Sequence, residues 1–361
     1  LVLSRGSCVN VPVSESFAQE SPYVLDWDGS RWWVTHAQAG KVEVSLAERP
    51  KWYDSKCRSG KKMTQIGTLQ GSYLGIYPTK VCEFWQGPNK ENCRYCSVGL
   101  NLGIADAPEK KLDEVLEVIG RAQAESGITY VDFNTGHYVD QSYLDVLEPI
   151  LKEVKKRTGL LLGVQTPPHP DLDRYRRLKD LGVNRVSFCF ELYDPKRFVE
   201  VCPGKARFYG LDRYLETMDF CASLGAKQSI REPWVTNGEI IAGLESPEST
   251  MAAIDRITSV GAIPTVCVFR PLIGTDLEAL TPPKTADMVP VFRHLYEACM
   301  EKGLPIGLAP NIHVSLVLTP DECAGLSDRA FAWQRIKNRV KQWAVHRAVY
   351  GQIRQSEPAL V

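Results

Sequence analysis

Residues 73–96 read YLGIYPTKVCEFWQGPNKENCRYC. The front of this stretch is short, apolar and β-prone, and Pro78 ends it; the back gathers Cys82, Cys93 and Cys96 into one loop. In a parallel β/α barrel the loops after the C-terminal ends of the strands carry the chemistry. A first strand that delivers three thiols to such a loop therefore suggests both an architecture and a site.

Outward from that stretch the same rhythm repeats. ITYVDFN (128–134), GLLLGVQT (159–166), VNRVSFCFE (183–191), EIIAGLES (239–246), IPTVCVFRP (263–271) and LPIGLAPNIHVS (304–315) have strand character. Between them, DEVLEVIGRAQAESG (113–127), SYLDVLEPILKEVKKRTG (142–159), DLDRYRRLKDLG (171–182), GLDRYLETMDFCASLG (210–225), ESTMAAIDRITSVG (248–261) and MVPVFRHLYEACMEKG (288–303) carry apolar residues at helical spacing. AKQSIREPWVTNG (226–238) reads as irregular. About seven strands separated by helices predict an α/β chain built on a parallel (β/α) barrel, TIM-like and partial or complete.

Both ends have a different texture. WWVTHAQAGKVEVSLAE (32–48) alternates around a glycine turn as a β-hairpin does, and MTQIGTLQGSYLGIY (63–77) looks like a second extended pair. At the other end, SDRAFAWQRIKNRVKQWAVHRAVYGQIRQ (327–355) predicts a helix capped by Ser327. Trp333, Ile336, Val340 and Trp343 share one face of it, expected to pack, with the basic residues solvated. The expected organisation is an N-terminal extension with β-hairpins over 1–72, the barrel over 73–318 and a C-terminal helical segment over 319–361.

Composition narrows the function. Lys+Arg and Asp+Glu are both 43, so no global field gathers polyanions and no nucleic-acid partner is expected. Nothing approaches the length of apolar chain a membrane helix needs, so no membrane partner is expected either. Eleven cysteines is an odd count, and eight of them (Cys8, Cys57, Cys189, Cys202, Cys221, Cys267, Cys299, Cys323) stand singly. That is the pattern of reduced, buried thiols. With first residues that lack the apolar core of a secretory signal, it predicts a cytoplasmic protein.

Three thiolates in one loop point to a metal, because gathering them otherwise costs ordering entropy and thiolate repulsion. Structural zinc wants a fourth protein ligand, and Cys57 and His36 are the nearest candidates. A [4Fe–4S] cluster held by three cysteines leaves one iron open to another ligand.

On these residues the chain resembles the radical S-adenosylmethionine (SAM) superfamily, whose cluster loop follows the first barrel strand and ends in Cys-x-aromatic-Cys. CRYC (93–96) matches that end. The front departs from the pattern: ten residues separate Cys82 from Cys93 where three are usual, and Gly87-Pro88-Asn89 offers a turn to fold the excess. Further resemblances fall at later strand ends: Thr135-Gly136 in FNTGHY, Ser187 and Glu191 in SFCFELYDP, IIAGLESPEST, and VFRPLIGTDLE.

The resemblance implies a [4Fe–4S] cluster on Cys82, Cys93 and Cys96, with SAM on its open iron. It places Tyr95 near the adenine, Thr135 and Gly136 at the SAM amino group, and Ser187 and Glu191 at the ribose and methionyl parts. Arg231 and Arg270 each read as a charge-assisted fork for SAM or as a surface ion pair. His137 and His313 fall at the barrel mouth, as structural or catalytic side chains. The implied activity is cleavage of SAM to a 5′-deoxyadenosyl radical that takes hydrogen from a small metabolite or cofactor precursor. An external one-electron donor such as flavodoxin or ferredoxin would supply the electron. Single downstream thiols argue for one cluster, and the hairpin-like N terminus argues against a cobalamin-binding domain, which leaves a likeness to the small barrels around biotin synthase and the cofactor maturases. The rival reading is a zinc- or cluster-bearing structural barrel that binds a ligand without radical chemistry.

Overall fold

The computed structural model describes residues 1–3, 9–71, 73–78, 80–85, 90–101, 103–226, 230, 232–308 and 317–355. The N-terminal part forms a small antiparallel sheet of β1 (Val2–Leu3), β2 (Tyr23–Trp27), β3 (Trp32–His36) and β4 (Gly40–Ser45), in the order β1-β4-β3-β2, with a short helix α1 (Ser16–Gln19). The hairpin expected over 32–48 is the β3–β4 pair.

The main sheet has eight strands: β5 (Gly67–Leu69), β6 (Leu74–Ile76), β7 (Tyr130–Asn134), β8 (Leu161–Gln165), β9 (Arg185–Glu191), β10 (Val235–Ala242), β11 (Ile263–Val268) and β12 (Val317–Leu318). They lie in sequence order across the sheet, β6 to β11 parallel, with antiparallel β5 and β12 as its two edges. This is the partial form of the barrel. The sheet begins at Gly67, so a boundary at 73 falls inside the β5–β6 hairpin.

The connections are helical. The cysteine loop leads through α2 (Val98–Asn101) to α3 (Leu112–Ser126), and α4 (Tyr143–Thr158) and α5 (Asp173–Asp180) follow β7 and β8. After β9 come α6 (Pro195–Val201), α7 (Pro203–Phe208) and α8 (Gly210–Leu224), then α9 (Pro247–Ser259), α10 (Thr285–Glu301) and the terminal α11 (Ala332–Gln355). Gly127 and Gly159 end α3 and α4 in the left-handed region, at φ 62° and 63°, where a side chain is strained.

Strand β9 shows how the sheet places polar groups inside. Val186, Phe188 and Phe190 are buried toward the helices, with Phe188 edge-on to Tyr175 of α5. The alternate residues Arg185, Ser187 and Cys189 therefore point into the barrel.

Three expectations need correction. Strand β10 starts at Val235, earlier than the irregular reading of 226–238 allowed. Asn237, inside that stretch, is a strand residue whose amide donates to Ile263 O and Thr265 Oγ1, both at 3.1 Å. Ser327 does not cap the last helix, which begins at Ala332; its hydroxyl bonds Glu297 instead. The face bearing Trp333, Ile336, Val340 and Trp343 is exposed to solvent and is not packed. Of LPIGLAPNIHVS, residues 309–315 lie outside the described residues.

Candidate functional site

At the C-terminal ends of β6 to β11 the half-barrel opens on a cavity of about 360 Å³. Its lining includes Cys82, Cys93 and Cys96 with Tyr77, Trp85 and Tyr95, and it reaches Thr135, Gly136 and His137 after β7. Gln165 of β8, Cys189 and Glu191 of β9, Glu239 of β10, and Cys267 and Arg270 at the end of β11 complete its walls with Lys205.

Backbone contacts hold the long cysteine loop at both ends. Glu83 N donates to His137 O at 2.9 Å, which ties the Cys82 end to the β7 loop. Arg94 N donates to Val201 O at 2.9 Å, and Gly204 N donates to Glu91 O at 3.1 Å, which tie the other end to the break between α6 and α7. Gly204 has no room for a side chain, since a Cβ there would stand 2.6 Å from the Phe84 ring and 2.7 Å from Glu91 O. Gly136 is equally tight: its Cβ would fall 2.5 Å from Cys82 Cα and 2.6 Å from Cys82 N. A glycine at each place lets two loops touch along their backbones.

The three thiols differ in environment. Burial raises the proton affinity of Cys82 and pushes Cys96 up to about 12. Cys93 is drawn down to about 7, first by a hydrogen bond from Cys202 and then by the Lys205 ammonium. Cys82 Sγ lies 4.0 Å from His137 Nδ1, and the other ring nitrogen of His137 is 2.6 Å from the Tyr214 hydroxyl. Burial holds this imidazole neutral, its affinity for a proton far below the usual histidine range. With Phe84 stacked on it and Tyr209 edge-on, His137 is part of an aromatic wall beside the thiols.

Glu191 sits at φ 72°, a left-handed conformation rare for a residue with a side chain. It aims the carboxylate at Lys205 Nζ, 2.7 Å away, and Lys205 also donates to Cys189 O at 2.5 Å. Neighbouring carboxylate and thiol charges hold the Lys205 ammonium firmly protonated despite its burial. Backbone strain at a cavity-facing charge is the sort of feature that surrounding structure maintains for function.

Deeper in the barrel lies a second charged group. Arg185 bridges Asp132 at 3.2 Å and Glu239 at 2.7 Å, and its Nε donates to Asn237 Oδ1 at 2.9 Å. The other oxygen of Glu239 accepts from Gln165 at 2.8 Å and from the Cys189 thiol at 3.1 Å. Such a network tolerates burial because nearly every charge has a partner.

Most of the residues singled out from sequence come together here. Cys82, Cys93, Cys96, Tyr95, Thr135, Gly136, Glu191 and Arg270 all line the cavity. Ser187 does not reach it: fully buried, it donates to Glu239 and accepts from Arg185, one layer below. Arg231 and His313 lie outside the described residues, as do Gly87, Pro88 and Asn89. The fourth-ligand candidates for zinc are elsewhere. His36 is on β3, bonded to Gln38 N and Ala39 N, and Cys57 is buried away from the cavity with its thiol pushed up to about 11. Glu245 and Ser246 of IIAGLESPEST serve the scaffold: Glu245 accepts from Tyr193 N and Asp194 N, and Ser246 caps α9.

Sequence reasoning missed Lys205, Cys202, Gln165 and Glu239. The helix break at Cys202-Pro203-Gly204 is the one local cue near Lys205, and it says nothing about the charge pair across the barrel.

Among the described residues no three His, Cys, Asp or Glu side chains close on a single ion. A cube differs from a single ion in taking each thiolate on a different iron, so the thiols surround it without converging on one point. Three thiols around one cavity supply that donor set. The Thr135 hydroxyl is buried on the cavity wall with no hydrogen-bond partner among the described residues, and beside it Gly136 presents bare backbone. Both suit a polar ligand, so the residues present fit a cluster with a nucleotide-sized ligand next to it.

Residues 90–257 match the family model described as the radical SAM superfamily. The match takes in Cys93 and Cys96 and starts after Cys82. Among curated proteins, the chain is similar to the bacteriochlorophyllide c C-7(1)-hydroxylase of Chlorobaculum limnaeum. The two are 22% identical over 274 residues, which is 69% of this chain and 64% of that protein. The chain thus spans less than two thirds of that relative. Among solved structures it is similar to methylornithine synthase, at 16% identity over 77% of this chain and 85% of that one, with a TM-score of 0.49. It is also similar to the FeFe-hydrogenase maturase HydG of Carboxydothermus hydrogenoformans, at 17% identity over 64% and 52% of the two chains, again with a TM-score of 0.49. The family match runs through β7 to β10, the strands that wall a thiol-lined cavity, so residues 90–257 carry a radical SAM domain, of a superfamily whose members use a [4Fe–4S] cluster and S-adenosylmethionine.

Proposed function

We propose that this chain is an enzyme in which Cys82, Cys93 and Cys96 hold a [4Fe–4S] cluster and the adjoining cavity takes SAM. The observation that carries the reading is the placement of three thiols, an orphaned Thr135 hydroxyl and the bare Gly136 backbone around one cavity at the strand ends. When bound, the pair supplies a 5′-deoxyadenosyl radical that abstracts hydrogen from the substrate.

The chain's own residues bind, orient and exclude water. Thr135 and Gly136 meet the amino acid end of SAM, the Glu191–Lys205 pair offers one group of each sign to its polar parts, and Tyr95 lies along the base. Arg270 stands at the rim as a further cation. Ser187 acts from below by fixing Glu239. The aromatic wall of Phe84, His137, Tyr209 and Tyr214 keeps water from the sulfurs, and burial beside thiolates is a lever on cluster potential. The neutral His137 adds no charge there.

The substrate is a small metabolite or cofactor precursor reaching the cavity floor at Gln165 and Glu239. The curated relative's action on a bacteriochlorophyllide supports the cofactor-precursor class. A small one-electron carrier of the flavodoxin or ferredoxin kind serves as donor, in a reducing cytoplasm that keeps the thiols free.

The test is anoxic purification and reconstitution with iron and sulfide, followed by SAM and dithionite. The expected result is a brown protein that forms 5′-deoxyadenosine, and that loses both properties in Cys82→Ala, Cys93→Ala and Cys96→Ala. A colourless zinc protein inert to SAM would establish the structural-barrel alternative.

A further inference from the structure

Helix α11 turns an apolar stripe to water. A surface helix normally turns its apolar stripe to the core and its polar residues to water. Here Trp333, Ile336, Val340 and Trp343, spaced three, four and three residues apart, form the outer stripe at 68%, 53%, 60% and 63% exposure. The inner face is anchored by Asn338, 8% exposed, which donates to Leu304 O at 3.3 Å and accepts from Gln334 Nε2 at 3.0 Å, and further along by the buried Val349 and by Ile353 packed against the core. The apolar stripe is therefore not a core face that failed to find its partner, since the helix is already docked by its other side.

Charge says what fits the stripe. Arg335, Lys337, Arg339, Lys341 and Arg347 lie on this helix, and no Asp or Glu occurs from Arg329 to Gln355, in a chain that is neutral overall. Among the described residues none of these five cations forms an ion pair. Two of them border the indoles, Lys337 Nζ lying 5.7 Å from the Trp333 ring and Arg347 Cζ 5.6 Å from the Trp343 ring. Tryptophan rings flanked by long cationic side chains suit the headgroup level of a bilayer, where the ring buries its body and the cations reach anionic lipid. A second copy of the chain fits worse, because two-fold pairing on this stripe sets like-charged helices against each other.

We propose that α11 docks this protein on an anionic membrane surface, lying in the interface plane with Trp333, Ile336, Val340 and Trp343 inserted. The helix does not span: among the described residues no helix is long and apolar enough to cross a membrane. Docking of this kind is independent of which substrate the cavity takes.

The holoprotein is tested by co-sedimentation with vesicles of phosphatidylcholine alone or mixed with phosphatidylglycerol. The expected result is binding to the mixed vesicles only, a blue shift of tryptophan emission, and weakening with salt. Trp333→Gln/Trp343→Gln should abolish binding, and Lys337→Gln or Lys341→Gln should each weaken it by about fivefold. Because these positions are exposed, all variants should keep the parent's iron content and melting curve. Equal binding to both vesicle types, or no binding, overturns the proposal. So does a dimer in light scattering that Trp333→Gln/Trp343→Gln dissolves, which would assign the stripe to a second copy.

Discussion

Replacing Gly136 by alanine tests whether the β7 loop and the cysteine loop meet backbone to backbone. The built Cβ stands 2.5 Å from Cys82 Cα, 2.6 Å from Cys82 N and 2.4 Å from the Tyr77 hydroxyl. Carbon atoms rest at about 3.5 Å or more, so Cys82 must retreat by about 1 Å. The atoms in the way are mostly backbone, and no rotamer change relieves them. Overpacking of this kind costs about 1–3 kcal/mol, and the upper end applies where the backbone has to move. The consequence for the cluster is larger than for the fold, because metal–ligand distances tolerate only about 0.2 Å. Reconstituted Gly136→Ala should therefore keep a folded chain, with a lower urea midpoint, and lose most of its iron and its absorbance near 400 nm. Gly325→Ala is the control: its Cβ meets nothing within 4 Å, so iron and stability should stay at parent levels. Parent iron content and an unchanged midpoint in Gly136→Ala would refute the close approach and the role assigned to this glycine.

Further outcomes follow from the buried charges and thiols. Arg185→Met strands Asp132 and Glu239 inside the barrel and should cost about 3–5 kcal/mol by urea unfolding, whereas Arg185→Met/Glu239→Gln should recover part of that; additive losses would mean the groups are not coupled. Lys205→Met should destabilise the chain and raise the KM for SAM, while Lys205→Met paired with Glu191→Gln restores stability without restoring KM. Recovery of both would reduce the pair to scaffold. Cys202→Ala should retain parent iron, since this thiol only hydrogen-bonds Cys93, and a loss equal to that in Cys93→Ala would make it a ligand. Gly159→Ala, at φ 63°, should cost about 1 kcal/mol with iron unchanged.

Periodicity alone carried the sequence a long way toward the fold. The strands β7, β8, β9 and β11 and the helices α3, α4 and α8 to α10 follow from local spacing and from glycines that stop helices, because apolar period and capping are properties of adjacent residues. The cysteine loop was legible for the same reason: three thiols within one connection need no tertiary information to be noticed. What local pattern misread was a set of residues whose environment lies far away in the chain. Asn237 falls in a stretch that reads as irregular, and only the folded chain shows Arg185 and Thr265 satisfying it within strand β10.

The outer face of α11 shows the limit most clearly. The sequence shows that Trp333, Ile336, Val340 and Trp343 share one side, but a helix has two sides, and which one meets the body depends on what Leu304 and Met300 offer to Asn338. Likewise the sequence determined the loop that holds the sulfurs, while only the tertiary structure decided that Lys205 would face Glu191 across the same cavity and that Ser187 would sit beneath it. The reason is physical. A motif is written in neighbours along the chain, whereas the sign and burial of a charge's surroundings are set by strands brought together from distant positions.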